Sequence, residues 1–420
     1  MSTLTVEHVA RIEGHGTISV EVDNGAVGEI RMDIVEPTRF FESMVVGRRF
    51  DEAPLITSRI CGICSPNHAV TSLKALEAAM GIEISERTRL LRTLLVHGSF
   101  LQNHATHLYV LAAPDYVGLP NFIPLAESHP EVVARALSIK KLGNDLTTAV
   151  GGRPVHPITA VVGGFTAEPS RADLEALAER LRSVAKDVAE TVGLFSTFDV
   201  PKFDTAGEML ALKAEGEYAV YDGDVCALDA GWCRPVGEYL DFVSEHVVGH
   251  SNAKHSTIDG RTFMVGALAR VNLNWDQLMP TARIVASKAG LRPISKNTFA
   301  NNLCQAIELV DAAERCAMLC QRLLDETGSS KPVGYKIKAG AGTSATEAPR
   351  GTLYHTLAID DDGFVTAGNV ITPTAQNLAN LEADMRAFAP TVVDLPEEQF
   401  VLRIEQLVRA YDPCLSCAVH

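Results

Sequence analysis

Two short motifs carry the most chemically specific signal in the chain: Arg59-Ile-Cys61-Gly-Ile-Cys64 and, near the other end, Asp412-Pro-Cys414-Leu-Ser-Cys417. A Cys-x-x-Cys spacing lets two sulfurs reach one metal, the first from a loop and the second from the edge of a helix. Four thiolates meeting at one place select a soft ion, whether zinc, an iron–sulfur cluster or another soft transition metal. Structural zinc sites usually pair such motifs about 15–20 residues apart, whereas here almost the whole chain lies between them. Spacing alone leaves three readings open: a structural zinc, a redox or catalytic metal, and redox-active dithiols.

Elements must hold those cysteines. Apolar residues at helical spacing over 69–80, with Gly81 as a stop, predict a helix that begins just behind Cys64. The same period predicts helices over 85–112, 170–194, 301–326 and 397–411, with Gly/Pro-rich loops between them. Over 17–35 the pattern alternates: Ile18, Val20 and Val22 share a face, Asn24-Gly25 offers a turn, and Ile30, Met32 and Ile34 resume the period. A second hairpin is expected from 353–359, a turn at 360–363, and 364–371. The expectation is an α+β, predominantly helical fold with a long-helix bundle core and small peripheral β-hairpins. No repeat or linker interrupts it, so a single domain over 1–420 is expected.

Composition narrows the function classes. With 420 residues at 46% hydrophobic content the chain can bury a sizeable core. A formal net charge of −15 argues against nucleic-acid binding, which needs clustered Lys and Arg. No stretch approaches the roughly 20 apolar residues of a membrane span, so no direct membrane insertion is expected. Residues 1–7 lack a basic segment followed by an apolar one, and a cytoplasmic location is expected. Cys226, Cys233, Cys304, Cys316 and Cys320 lie scattered through the middle, unlike the disulfide frame of a small secreted domain.

Five motifs occur in order: Arg11-Ile-Glu13-Gly-His15, Phe40-Phe-Glu42, the Cys61/Cys64 motif with His68 four residues on, Glu347-Ala-Pro-Arg350-Gly351, and the Cys414/Cys417 motif running on through Ala-Val-His420. Together, and along the whole chain, they resemble the large, catalytic subunits of [NiFe]-hydrogenases. A metal-free relative in respiratory complex I has lost these cysteines, and their retention here favours the metal-bearing enzyme. The resemblance implies reversible heterolytic cleavage of H2, with electrons passed to an iron–sulfur small subunit.

It implies nickel bound by all four thiolates, with Cys61 and Cys414 terminal and Cys64 and Cys417 bridging to an iron that carries one carbonyl and two cyanides. Cys414 then serves as proton acceptor and Glu13 as the next relay. Arg350 lies over the open metal position, Asp412 fixes its charge, and His68 faces a bridging sulfur. Asn103 stands where relatives often have Asp or Ser, and His104 and His107 are expected to pack beside the site. Glu42, the Val370 carbonyl and His420 imply a structural magnesium, and the end at His420 resembles a chain trimmed after nickel insertion. The ending and length are most like the soluble, cofactor-coupled type, bidirectional or electron-bifurcating, which implies further flavin or iron–sulfur diaphorase-type subunits. A regulatory, H2-sensing hydrogenase of low turnover is the alternative within the family, and a structural zinc protein the alternative outside it.

Overall fold

At the amino end, alternation builds a sheet. In this computed structural model, which describes residues 2–6, 9–23 and 26–420, strands β1 (Ser2–Val6), β2 (Gly16–Asp23) and β3 (Ala26–Ile34) pair antiparallel in that order. Ile18, Val20, Ile30, Met32 and Ile34 are buried as their period predicts. The expected Asn24-Gly25 turn lies outside the described residues. β1, too short to announce itself by periodicity, widens the hairpin to three strands.

Helix α1 (Ser65–Met80) has Cys64 as its N-cap and ends on Gly81 in the left-handed conformation, as the sequence predicts. Helix α2 (Glu86–Thr106) is capped by Ser85, whose hydroxyl accepts from the Thr88 N–H. The pattern over 85–112 reads as one helix, but its last part, His107–Ala112, is a π-helical turn. The expected 170–194 helix is two, Arg171–Ser183 and Ala185–Ser196, joined at Val184. Helix α3 (Pro130–Gly151) was not anticipated; its Pro sits at the helix start, where a missing N–H costs nothing.

In the middle, strand Phe263–Met264 runs parallel to Glu208–Lys213, which is followed in the sheet by Asp224–Ala227 and Cys233–Arg234. Cys226 and Cys233 stand opposite each other there and form a disulfide, a correction to reading them as scattered thiols. Their pairing depends on strand register, which no local pattern announces.

Helix α4 (Asn301–Asp325) is buried along most of its length. After it, strands β4 (Gly340–Ala348), β5 (Gly351–Ile359) and β6 (Val365–Ile371) form an antiparallel sheet, in which β5 and β6 are the expected hairpin and β4 an added strand. β4 lies against α1 at very short range: a Cβ on Gly342 would stand 2.1 Å from the Ala75 carbonyl oxygen and 2.3 Å from the Ala79 nitrogen. Helices α5 (Pro373–Phe388) and α6 (Glu397–Ala410) then lead to a final turn, Leu415–Ala418, seated beside the start of α1. The fold is 50% helix and 18% strand, hence helix-dominated α+β. Among the described residues no helix is long and apolar enough to cross a membrane.

Candidate metal centre

The two ends of the chain meet. Cys61, Cys64, Cys414 and Cys417 are all buried and form one cluster. Sγ of Cys61 lies 3.8 Å from Sγ of Cys414, Sγ of Cys64 3.7 Å from that of Cys417, and the Cys414 and Cys417 sulfurs 2.7 Å apart. Thiolates sharing one ion at a metal–sulfur distance near 2.3 Å can be no more than about 4.6 Å apart, so these spacings suit shared coordination.

Electrostatics asks for a cation there. Burial pushes the Cys414 thiol up to about 11 and the Cys417 thiol well above its ordinary value. Burial acts in the same sense on Cys64, but hydrogen bonds from Cys417 and Cys61 overcome it and bring that thiol down to about 6. One thiolate is thus tolerated with Arg350 nearby, whereas four require a metal's charge.

Main-chain bonds bring the remaining groups to the sulfurs. The Leu415 N–H donates to the Glu13 carbonyl at 2.9 Å, which sets Glu13 beside the second cysteine loop. Its carboxylate then accepts from Cys414 Sγ at 3.0 Å, from the Ser416 hydroxyl at 2.5 Å and from the Ser416 N–H at 3.1 Å. Burial, followed by the neighbouring Cys414 sulfur, raises the Glu13 pKa to about 7.

Arg350, buried beside β5, donates from Nε to the Asp412 carbonyl at 2.7 Å and to Asp412 Oδ1 at 3.1 Å, and its Nη2 lies 3.1 Å from the same oxygen. Burial alone would lower its pKa, but Asp412 and the cysteine sulfurs hold the guanidinium charged. Asn103, with its amide turned to suit both neighbours, donates to Asp412 Oδ2 at 3.3 Å and accepts from Arg350 Nη1 at 3.1 Å. Gln305 of α4 donates to Asp412 Oδ2 at 2.9 Å, and His107 stands 3.8 Å from Oδ1. His104 faces away, into a buried network with Glu308 and Arg270. Arg11, Phe40 and Asp412 all adopt positive φ, a backbone cost that three of the site motifs carry.

His68, one turn into α1, puts a ring nitrogen within 4.8 Å of the Cys64 and Cys417 sulfurs. Its Nδ1 lies 3.1 Å from His355 Nε2, and His355 Nδ1 2.8 Å from the Ser72 hydroxyl. Burial keeps both imidazoles neutral, His68 down to about 3. The magnesium candidates also converge. His420 Nε2 lies 2.6 Å from the Val370 carbonyl oxygen and 4.0 Å from Glu42 Oε1, which accepts from the Val370 N–H at 2.8 Å.

Several contributors escape sequence reasoning. Arg39 donates to the carbonyls of both Ile60 and Ser416, clamping one cysteine loop to the other. Thr374, at the start of α5, accepts from the Cys414 N–H at 3.0 Å. His355, an inward polar residue in an apolar strand, was the one with a readable signal; Arg39 and Thr374 act only through space.

A buried tetrathiolate pocket in this fold, faced by one acid and one guanidinium, defines a thiolate-ligated transition-metal enzyme. The family profile described as nickel-dependent hydrogenase matches residues 39–134 and 238–420, and one described as HoxL-like matches 3–36. Sulfhydrogenase 1 subunit alpha of Pyrococcus furiosus is 38% identical, over 99% of this chain and 97% of that protein. The fold matches the crystal structure of an NAD+-reducing [NiFe]-hydrogenase in the H2-reduced state with a TM-score of 0.90 and 28% identity, over 100% of both chains. It matches the Ni-Fe-Se hydrogenase of Desulfomicrobium baculatum with a TM-score of 0.82 at 23% identity, again over 100% of both chains. The chain belongs to the nickel-dependent hydrogenase family. It is the catalytic large subunit of a [NiFe]-hydrogenase, an oxidoreductase acting on H2, with a nickel–iron centre and a small-subunit partner.

Proposed function

We propose that the four cysteines would hold a nickel–iron pair, Cys61 and Cys414 as ligands of nickel and Cys64 and Cys417 as ligands shared with an iron that would carry one carbonyl and two cyanides. When bound, that pair supplies the electrophilic, redox-active position at which H2 is polarised and its electrons accepted. The chain's own part is to hold and move the proton. Cys414 Sγ takes the proton released from H2, and Glu13, 3.0 Å away, takes it from sulfur. Its raised pKa suits that exchange, since an acid near neutrality both accepts and releases readily. Arg350, fixed by Asp412 and Asn103, holds a positive charge beside the cysteine sulfurs, where it would face the bound metals, and His68 would donate towards the sulfurs of Cys64 and Cys417.

The Cys414–Glu13 contact is the observation that carries this reading. Its test is H2/D2O isotope exchange by the purified enzyme with its small subunit: exchange is expected, and its absence in fully metallated protein contradicts the reading.

We assign magnesium to Glu42, the Val370 carbonyl and His420, supported by their convergence and by the neighbouring Glu245, whose Oε2 accepts from Lys254 at 3.1 Å while its Oε1 is buried without a hydrogen-bond partner among the described residues. The full-length likeness to an NAD+-reducing enzyme supports diaphorase-type partners beyond the small subunit. A single domain over 1–420 and a cytoplasmic location complete the proposal, the latter supported by the three buried free thiols outside the metal centre, Cys304, Cys316 and Cys320.

A further inference from the structure

A second cluster of metal-capable side chains lies where the hairpin Val243–His246/His255–Ile258 meets α5. His250, His255 and Glu382 each place one ligand atom within 4.8 Å of the others. Glu382 and His255 are 3% and 4% exposed, while His250 reaches in from the rim. The Nε2 of His255 is buried with no hydrogen-bond partner among the described residues, a state that native proteins rarely leave without a reason. Glu382 is held in place from three sides. Its Oε1 accepts from the Met32 N–H at 3.0 Å and from His250 Nε2 at 2.7 Å, and its Oε2 from Arg386 at 2.9 Å.

We propose that His250, His255 and Glu382 form a site for a zinc-class divalent ion, distinct from the cysteine centre. Two imidazole nitrogens with one carboxylate oxygen suit zinc and its neighbours, whereas magnesium and calcium demand mostly oxygen. On binding, His250 shifts its proton from Nε2 to Nδ1, and the ion takes the lone pairs of both imidazoles and of Glu382 Oε1 in place of the His250–Glu382 hydrogen bond. Arg386 is half-exposed and keeps Oε2, so the carboxylate stays oriented and the arginine's charge remains turned to solvent. The fourth position falls to water or to His246, which stands directly across the strand pair from His255 on the same face, ring centroids 6.1 Å apart.

Such an ion would brace the hairpin to α5 and, through Met32, to β3. The inference stands on these residues alone and does not depend on the roles assigned at the nickel–iron site.

The test is zinc uptake by the chelator-washed holoenzyme, followed by zinc-edge X-ray absorption. One zinc per chain is expected, in a nitrogen and oxygen shell with imidazole scattering and no sulfur. In His250→Gln, a rim substitution that keeps a polar side chain, zinc affinity should fall about 100-fold, with nickel and iron contents and H2 oxidation unchanged. Zinc should raise the thermal unfolding midpoint of the parent and not of the variant. No saturable uptake, uptake unaffected by His250→Gln, or a sulfur shell marking zinc in the cysteine site would overturn the proposal.

Discussion

Glu13 shows how one carboxylate is tuned by where it is kept. It is only half-buried, yet three donors from the second cysteine loop converge on it, the Cys414 sulfur and the hydroxyl and N–H of Ser416. Glu13→Gln keeps the shape and the bond from Ser416 but cannot carry a proton. Turnover and isotope exchange should fall about a hundred- to ten-thousand-fold, with nickel and iron contents intact; a fully active variant would remove Glu13 from the route. Asp412 is a different case, since its partner Arg350 is buried and charged. Asp412→Ala strands that charge and should cost about 3–5 kcal/mol of stability, measured by denaturant unfolding. At this scale the motifs spelled out the cysteines, Glu13, Arg350 and Asp412 because their spacing is local. Thr374 and Arg39 stayed unseen because each reaches the site from a distant segment, whereas His355 left a trace as a polar residue in an apolar strand.

At the scale of elements, the site rests on the closeness of α1 to β4. Gly342 allows the strand to lie on the helix backbone, and that helix carries Cys64 at its cap and His68 one turn in. Gly342→Ala must push them apart and should cost about 1–3 kcal/mol, with less nickel retained after purification; unchanged stability and metal content would show the contact to be slack. The sequence announced α1, α2, α4 and α6 through their 3.6-residue period. It hid α3 and α5, both of which start at a proline that reads equally well as a loop residue. Short strands such as Ser2–Val6 and Phe263–Met264 carry too few alternations to stand out, and the Cys226–Cys233 pairing exists only once Asp224–Ala227 and Cys233–Arg234 are in register.

For the whole molecule, burying so much polar machinery makes stability depend on pH. Burial, aided by Arg315, holds His97 down to about 3, and His255 lies at about 4 against an ordinary 6.5. Unfolding lets both imidazoles take up protons below pH 6.5, so the unfolded chain binds more protons there. Stability is therefore full above about pH 6.5 and falls as the pH drops towards 4. Calorimetric midpoints should decline over that window and decline less in His97→Gln; identical profiles would exclude His97 as a contributor. That two motifs at opposite ends of the chain close one pocket was legible from their chemistry, while the path between them was not. An infrared spectrum of the matured enzyme tests the nickel–iron centre most directly. One carbonyl and two cyanide bands are expected, vanishing in Cys64→Ser, and a spectrum blank in that region from fully metallated protein would rule the centre out.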